Sequence, residues 1–132
     1  MENLRTNTPS FPVSNSNVFN SKNNTEQMFE YAIEQANIGN ETKAMEIARE
    51  ALITAKQNNL YLAIYIHSFM AALCMERKDF GSARIHIYNA TNKLNTNHFS
   101  YNTDKIYLDA LLALIEKKDG VAKQLHFDAL AA

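Results

Sequence analysis

The sequence predicts an all-α fold of three antiparallel helix hairpins, preceded by a disordered N-terminal arm. Three observations support this prediction. All three glycines fall between segments of helical periodicity, and both prolines lie before residue 13. Segments with apolar residues at helical spacing alternate with short turn signals. Alanines recur along the chain at one fixed spacing. A chain of 132 residues is long enough for one such domain.

The N-terminal arm is predicted over residues 1–24. This stretch is crowded with Asn, Ser, Thr and Pro and has no apolar periodicity, so it buries too little surface to offset the entropy of ordering. Asn24 is followed three residues later by Gln27, which resembles a capping box and predicts the start of the first helix. Residues 25–132 are predicted to form a helical repeat domain.

Five turn signals divide this domain into six predicted helices. The turn signals are "NIGNE", "KQNN", "RKDFG", "NTNHFSYN" and "KKDG". Short connections favour antiparallel packing of consecutive helices, which gives three hairpins. The repeats span about residues 25–60, 64–99 and 103–132. The predicted helices cover residues 25–38, 41–57, 60–77, 80–95, 103–117 and 120–131.

Alanines occupy three positions of this repeat, each recurring every 39 residues. Small side chains allow two helices to approach closely, whereas a bulky residue would hold them apart. Each of these alanines is therefore predicted to lie at a contact between helices. The three sets are Ala32, Ala71 and Ala110; Ala44, Ala83 and Ala122; and Ala51, Ala90 and Ala129.

The stretch "GNETKAMEIAREAL" resembles the second helix of a tetratricopeptide repeat (TPR). "KDFGSARIHIYNA" resembles it with Lys78 in place of the turn glycine, and "KKDGVAKQLHFDAL" keeps the alanines with a shorter turn. The resemblance covers about residues 25–132. It departs from the family in having no Trp at the start of a repeat, no Pro at its end, and a unit longer than the usual length of about 34 residues. The resemblance implies a right-handed solenoid whose first helices line a concave groove.

The residues predicted for this groove are mainly apolar and aromatic, a lining that suits an amphipathic helix or an extended apolar peptide. The lining lacks the Lys, Arg and Asn set with which some TPR proteins clamp a C-terminal carboxylate. Burial in the core is the alternative for each residue. The candidates are Phe29, Ile33, Asn37, Tyr65, Ser68, Ala72, Met75, Tyr107 and Leu111.

The function expected from this groove is that of a non-enzymatic adaptor or chaperone for a segment of another protein. The size and plan are similar to those of TPR-like chaperones of bacterial type III secretion. In the alternative, the protein is a self-associating regulatory or structural protein whose groove closes in a homodimer. The N-terminal arm is a further candidate occupant of the groove.

Other function classes have no support in the sequence. Formal net charge is −1, and no basic stripe suits a nucleic acid. The four histidines and Cys74 form no metal-binding or catalytic motif, and burial is the simpler explanation for Cys74. The N-terminus lacks the apolar core of a signal peptide, and no apolar run suits a membrane span. We therefore expect a cytoplasmic protein with no enzymatic activity, no cofactor, no metal, and no nucleic-acid or membrane partner.

The chain ends in "DALAA", which resembles the end of the bacterial trans-translation tag read by the ClpXP protease. The resemblance implies that Leu130, Ala131 and Ala132 act as a degron for a ClpXP-type protease. Alternatively, these alanines are the ordinary end of the final helix, since the repeat itself calls for Ala129.

Overall fold

The computed structural model describes residues 21–131, which contain five helices and no strand. The all-α class is confirmed for this part of the chain. Residues 21–24 are already helical, so the predicted arm ends too late and the predicted capping box at Asn24 is wrong; the rest of the arm lies outside the described residues. The helices are α1 (Ser21–Asn37), α2 (Glu41–Asn58), α3 (Leu60–Glu76), α4 (Phe80–Asn92) and α5 (Tyr101–Ala131).

The chain divides within α3 into an N-terminal unit that ends at Ile66 and a C-terminal unit that begins at His67. In the N-terminal unit, α1 packs against α2. Ala32, Ala44 and Ala51 have no exposed surface there, which confirms their predicted burial. Without a large side chain at these positions, the two helices approach closely.

Two turns between helices share one geometry. Gly39 has a φ of 88° and Lys78 a φ of 65°, both in the left-handed region. The amide of the next residue donates a hydrogen bond to the carbonyl of the residue five positions before it. These bonds are Asn40 N–H to Gln35 O at 2.8 Å and Asp79 N–H to Cys74 O at 2.8 Å. This pattern is the Schellman motif, which satisfies the last carbonyls of a helix. Lys78 thus takes the place of a turn glycine, as the sequence predicts.

In the C-terminal unit, α4 packs against α5. Ala83 and Ala90 on α4 have no exposed surface, and Ile87 between them is also buried. From α5, Leu108 and Ile115 enter this core. The second repeat therefore buries its alanines as the first one does, and Ala71 on α3 is buried too.

The predicted third hairpin is not present, because α5 continues as one helix through "KKDG" to Ala131. The backbone of Gly120 has no positive φ, unlike that of Gly39. Asp119 also pairs with Lys123 at 3.4 Å, one helical turn further on, which supports the helix across the predicted break. Consequently the third-repeat alanines do not occupy tight helix contacts: Ala110 and Ala129 are exposed and Ala122 is half-buried.

The two glycines give a matched test of this difference. Gly120→Ala is expected to stabilise the protein by about 0.5–1 kcal/mol, because alanine favours a helix and an added Cβ meets open space. Gly39→Ala is expected to destabilise it by about 1–2 kcal/mol, because alanine is strained at positive φ. Urea unfolding of both variants checks this; a destabilising Gly120→Ala would indicate a turn at that position.

None of the described helices is both long enough and apolar enough to cross a membrane.

Candidate partner-binding groove

Helix α5 begins with a local hydrogen-bond network. The hydroxyl of Ser100, just before the helix, donates to the carboxylate of Asp104 at 2.8 Å. The Asp104 amide in turn donates to the Ser100 carbonyl at 2.9 Å. An acidic residue in the first turn also interacts favourably with the helix dipole. These contacts fix where α5 starts.

Two stripes run along α5. The buried stripe consists of Asp104, Leu108, Ile115 and Asp119. A second stripe, here named the α5 stripe, remains 40% to 64% exposed although all of its members are apolar or aromatic. Its spacings of seven, seven and four residues place it on one side of the helix. The α5 stripe consists of Tyr107, Leu114, Val121 and Leu125.

A groove of about 510 Å³ lies alongside the α5 stripe, here named the α5 groove. Its apolar surface comes from both sides: Met75 and Phe80 from the end of α3 and the start of α4, and Leu114, Val121 and Leu125 from α5. The volume is in the range of sites that hold compact ligands or part of a helix. The other lining residues are Glu76, Lys78, Lys117, Lys118 and Ala122.

A charged cluster ties α5 to α4. The guanidinium of Arg84 forms a two-pronged contact with Glu116, from Nε to Oε2 at 2.9 Å and from Nη2 to Oε1 at 2.6 Å. The same Nη2 donates to Asp119 Oδ2. Lys123 adds a longer contact to Asp119. Because bidentate Arg–carboxylate pairs are geometrically specific, this cluster fixes the rotation of α5 and hence the direction in which the α5 stripe faces.

Hydrogen bonds from Arg84 hold the pKa of both Glu116 and Asp119 below their usual values of 4.5 and 3.8. Burial opposes the shift in each case, and repulsion between the two carboxylates opposes it at Glu116. The carboxylates raise the pKa of the Arg84 guanidinium in turn. Carboxyl groups with depressed folded-state pKa values stabilise the fold above their unfolded values and lose that contribution as pH falls.

Stability is therefore expected to fall as the pH drops below about 4.5, the ordinary value for Glu116, through the lower folded-state values. Arg84→Met should flatten this part of the stability profile, because it removes the first cause of both shifts. Urea unfolding at pH 6, 4.5, 3.5 and 2.5 measures the effect. Lys105→Met, which removes the exposed pair with Asp109, is the control and should leave the acid slope nearly unchanged. An acid slope in Arg84→Met as steep as in the wild type would contradict the assignment.

Four of the nine sequence-predicted groove residues lie in the N-terminal unit. Phe29, Ile33 and Tyr65 are half-buried there, and Asn37 is exposed. The Tyr65 ring packs edge-on against Tyr61, with centroids 5.7 Å apart. These four residues remain candidates for partner contact in their own unit.

The other five lie in the C-terminal unit. Ser68 is buried, Ala72 and Leu111 are half-buried, and Tyr107 is half-exposed on the α5 stripe. Met75 is mostly buried, and it is the one residue of the sequence-predicted set that lines the α5 groove. The groove therefore shares one residue with the sequence-predicted set.

Val121 and Leu125 are absent from the sequence-predicted set, because the sequence predicts that they lie on the second helix of a third hairpin. One signal was readable from the sequence: Tyr107, Leu114 and Val121 are seven residues apart, a spacing that continues on one face only if the helix is unbroken. The turn signal "KKDG" interrupts this spacing in the sequence.

A histidine pair on α3 and α4 was also missed. The Nδ1 atoms of His67 and His86 lie 3.1 Å apart, and His67 is buried. A hydrogen bond between them requires one Nδ1 to donate and the other to accept, so the accepting Nδ1 carries no proton. This pair has little signature in the sequence, because the two residues lie 19 positions apart on different helices.

The predicted absence of a metal site concerns the same residues. Two imidazoles alone do not complete the usual ligand set of a protein metal site. Within residues 21–131, no group of three or more His, Cys, Asp or Glu side chains is arranged to hold a metal ion. Cys74 is buried, as the sequence predicts.

The C-terminal tail is part of α5 up to Ala131. Leu130 is 71% exposed and Ala131 is exposed, while Ala132 lies outside the described residues. The described part of the candidate degron is thus on the surface of the helix.

Comparison of the chain with protein-family models, with curated proteins and with solved structures finds no match.

Proposed function

We propose that the protein is a non-enzymatic adaptor or chaperone that holds an amphipathic helix or apolar segment of another protein in the α5 groove. The observation that supports this proposal is that three exposed residues of the α5 stripe line the groove together with Met75 and Phe80. The three are Leu114, Val121 and Leu125. A contiguous apolar surface of this kind marks an interaction site more often than scattered apolar residues do. Burying it yields about 25 cal/mol per Å² removed from water, less the cost of ordering.

The proposal includes a TPR-like arrangement of the first two repeats. Matching turns at Gly39 and Lys78, 39 residues apart, support it, as does the burial of the alanines of both repeats. In this arrangement α5 takes the place of a third hairpin and leaves its α5 stripe available to a partner. The cytoplasmic location and the likeness to bacterial type III secretion chaperones belong to the same proposal.

Affinity capture from the native host tests the proposal with matched variants. The groove variant Leu114→Ser/Leu125→Ser removes apolar surface from the groove wall. The control variant Ile85→Ser/Ile106→Ser makes the same chemical change at two exposed residues that do not line the groove. A partner of the groove is retained by the wild type and the control, and is lost or bound at least roughly tenfold more weakly by the groove variant.

Circular dichroism of each variant shows whether helicity is retained, so that a lost partner is not mistaken for lost folding. Equal capture by all three proteins would exclude the α5 groove as the binding site. The triple variant Phe29→Ala/Tyr65→Ala/Tyr107→Ala tests the sequence-predicted groove residues in the same experiment.

A second candidate function, self-association, is favoured by the spacing of the α5 stripe. Seven-residue spacing of apolar residues is typical of the seam between two paired helices. Sedimentation of the pure protein distinguishes this function from the first. A stable dimer that Leu114→Ser/Leu125→Ser dissociates would favour self-association, and a monomer would exclude it.

The C-terminal residues are proposed separately as a recognition element for a ClpXP-type protease. Leu130 and Ala131 are exposed, which such recognition requires. Addition of two aspartates after Ala132 is expected to lengthen the half-life of the protein in cells at least severalfold, because recognition of this kind depends on an apolar tail with a terminal carboxylate. An unchanged half-life in a chase experiment would contradict the assignment.

A further inference from the structure

We propose that the α5 groove selects a helix that carries acidic residues beside its apolar face. This inference rests on the proposed function and adds the chemistry of the partner. It follows from the charges at the groove, where the lining residues include three lysines and one glutamate. The lysines are Lys78, Lys117 and Lys118, and the glutamate is Glu76.

The lysines are placed beside apolar surface, not on a separate basic patch. Lys118 follows Leu114 by four residues and precedes Val121 by three, so it shares their side of α5. Lys117 lies next to it, and Lys78 holds the turn before α4. Lysine stems extend apolar surface while their ammonium groups stay in water. A partner helix in the groove would therefore meet apolar contacts along its centre and positive charge along its edges.

Such an edge favours glutamate or aspartate on the partner. Charge-assisted hydrogen bonds between carboxylates and ammonium groups are stronger than neutral ones, and complementary charge at a rim contributes mainly to specificity and association rate. The apolar centre distinguishes this surface from one for a polyanion, which needs a stripe of basic residues.

The same charges oppose a second copy of this chain as the occupant. Pairing of two α5 stripes, from Tyr107 to Leu125, would be centred near residue 116 in either orientation. Lys117 and Lys118 of both copies would then approach each other near the centre of the interface. Like charges placed together in this way are destabilising, which favours an acidic partner over a homodimer.

Three fluorescein-labelled peptides of 18 residues test the inference. All contain a leucine stripe at helical spacing; the first carries glutamates beside the stripe, and the second carries lysines at the same positions. The third has the composition of the first with the leucine spacing scrambled. Fluorescence anisotropy with the full-length protein at 50 mM and 300 mM salt gives each dissociation constant. The glutamate peptide is expected to bind at least about tenfold more tightly than either of the others, with the advantage over the lysine peptide shrinking at high salt.

A charge reversal assigns the preference to the groove. Lys117→Glu/Lys118→Glu should remove the preference for the glutamate peptide or reverse it. The control Lys43→Glu/Lys56→Glu makes the same change in net charge on α2, at residues that do not line the groove, and should keep the preference. Unfolding of each variant in urea confirms that the fold is retained.

Each outcome is decisive. Equal binding of the glutamate and lysine peptides, sensitive to Leu114→Ser/Leu125→Ser, would overturn the inference and leave the proposed function standing. Binding of the scrambled peptide as tightly as the first would also overturn it, because charge alone would then suffice. Binding of no peptide would count against both proposals. A dimer in sedimentation that the glutamate peptide does not displace would assign the groove to a second copy.

Discussion

Ile115→Ala is expected to destabilise the protein by about 2–5 kcal/mol. Ile115 has no exposed surface and is one of the two large α5 side chains, with Leu108, that are fully buried in the C-terminal unit. Removing three of its carbons loses transfer free energy and leaves a cavity that α4 and α5 cannot fill without moving. Urea unfolding followed by circular dichroism measures the loss.

The neighbouring residue supplies the control. Leu114 is the same size but 40% exposed, so Leu114→Ala should cost clearly less stability. Leu114→Ala is also expected to weaken binding in the α5 groove. Similar losses of stability in the two variants would show that α5 does not present these faces as described.

Ala90→Leu is expected to destabilise the protein by about 1–3 kcal/mol. Ala90 has no exposed surface and lies on α4, whose buried face packs against α5. The added carbons have no space there, so either the side chain adopts a strained rotamer or the helices separate.

The repeat itself provides a matched position for this change. Ala129 is 39 residues further along and equivalent in sequence, but it is exposed on the last turns of α5. Ala129→Leu should therefore change the free energy of unfolding by less than about 0.5 kcal/mol. Equal destabilisation by both substitutions would mean that the third repeat packs like the second and that a third hairpin exists in solution.

Much of the fold of residues 25–92 was predictable from the sequence. Apolar spacing and turn signals gave the first four helices within a few residues of their observed bounds, except at the start of α1 and the end of α4. The alanine periodicity correctly predicted the buried positions of the first two repeats. Even the unusual turn at Lys78 followed from its alignment with Gly39. These features depend on local propensity and on small residues at contacts, which a single sequence displays.

The third repeat was not predictable in the same way. "KKDG" has the composition of a turn, but whether it forms a turn or a helix depends on interactions distant in sequence. Arg84 on α4 binds Glu116 and Asp119 and thereby favours a helical conformation at Gly120. A glycine in a helix costs only about 1 kcal/mol relative to alanine, so a few such contacts decide between helix and turn. The third repeat keeps the alanine spacing of the first two repeats, but its alanines do not lie at tight contacts between helices.

The α5 groove shares only Met75 with the groove that the sequence predicts. Its main wall depends on the continuation of α5, so Val121 and Leu125 are absent from the predicted set. The lysines at its edge lie in the turn signals "RKDFG" and "KKDG" of the sequence. Their relation to Leu114 becomes visible only once the helix is known to be unbroken.

The central claim is that α5 is one continuous helix, since the α5 stripe and the α5 groove both depend on it. Spin labels at Ile106→Cys and Phe127→Cys, in a Cys74→Ala background, measure this directly by pulsed electron resonance. A continuous helix places the two positions about 31 Å apart, at 1.5 Å per residue. A hairpin with a turn at "KKDG" would bring them within roughly 15 Å, given an interaxial distance of about 8–10 Å. A single distance distribution near the longer value supports the account, and a dominant short distance would contradict it.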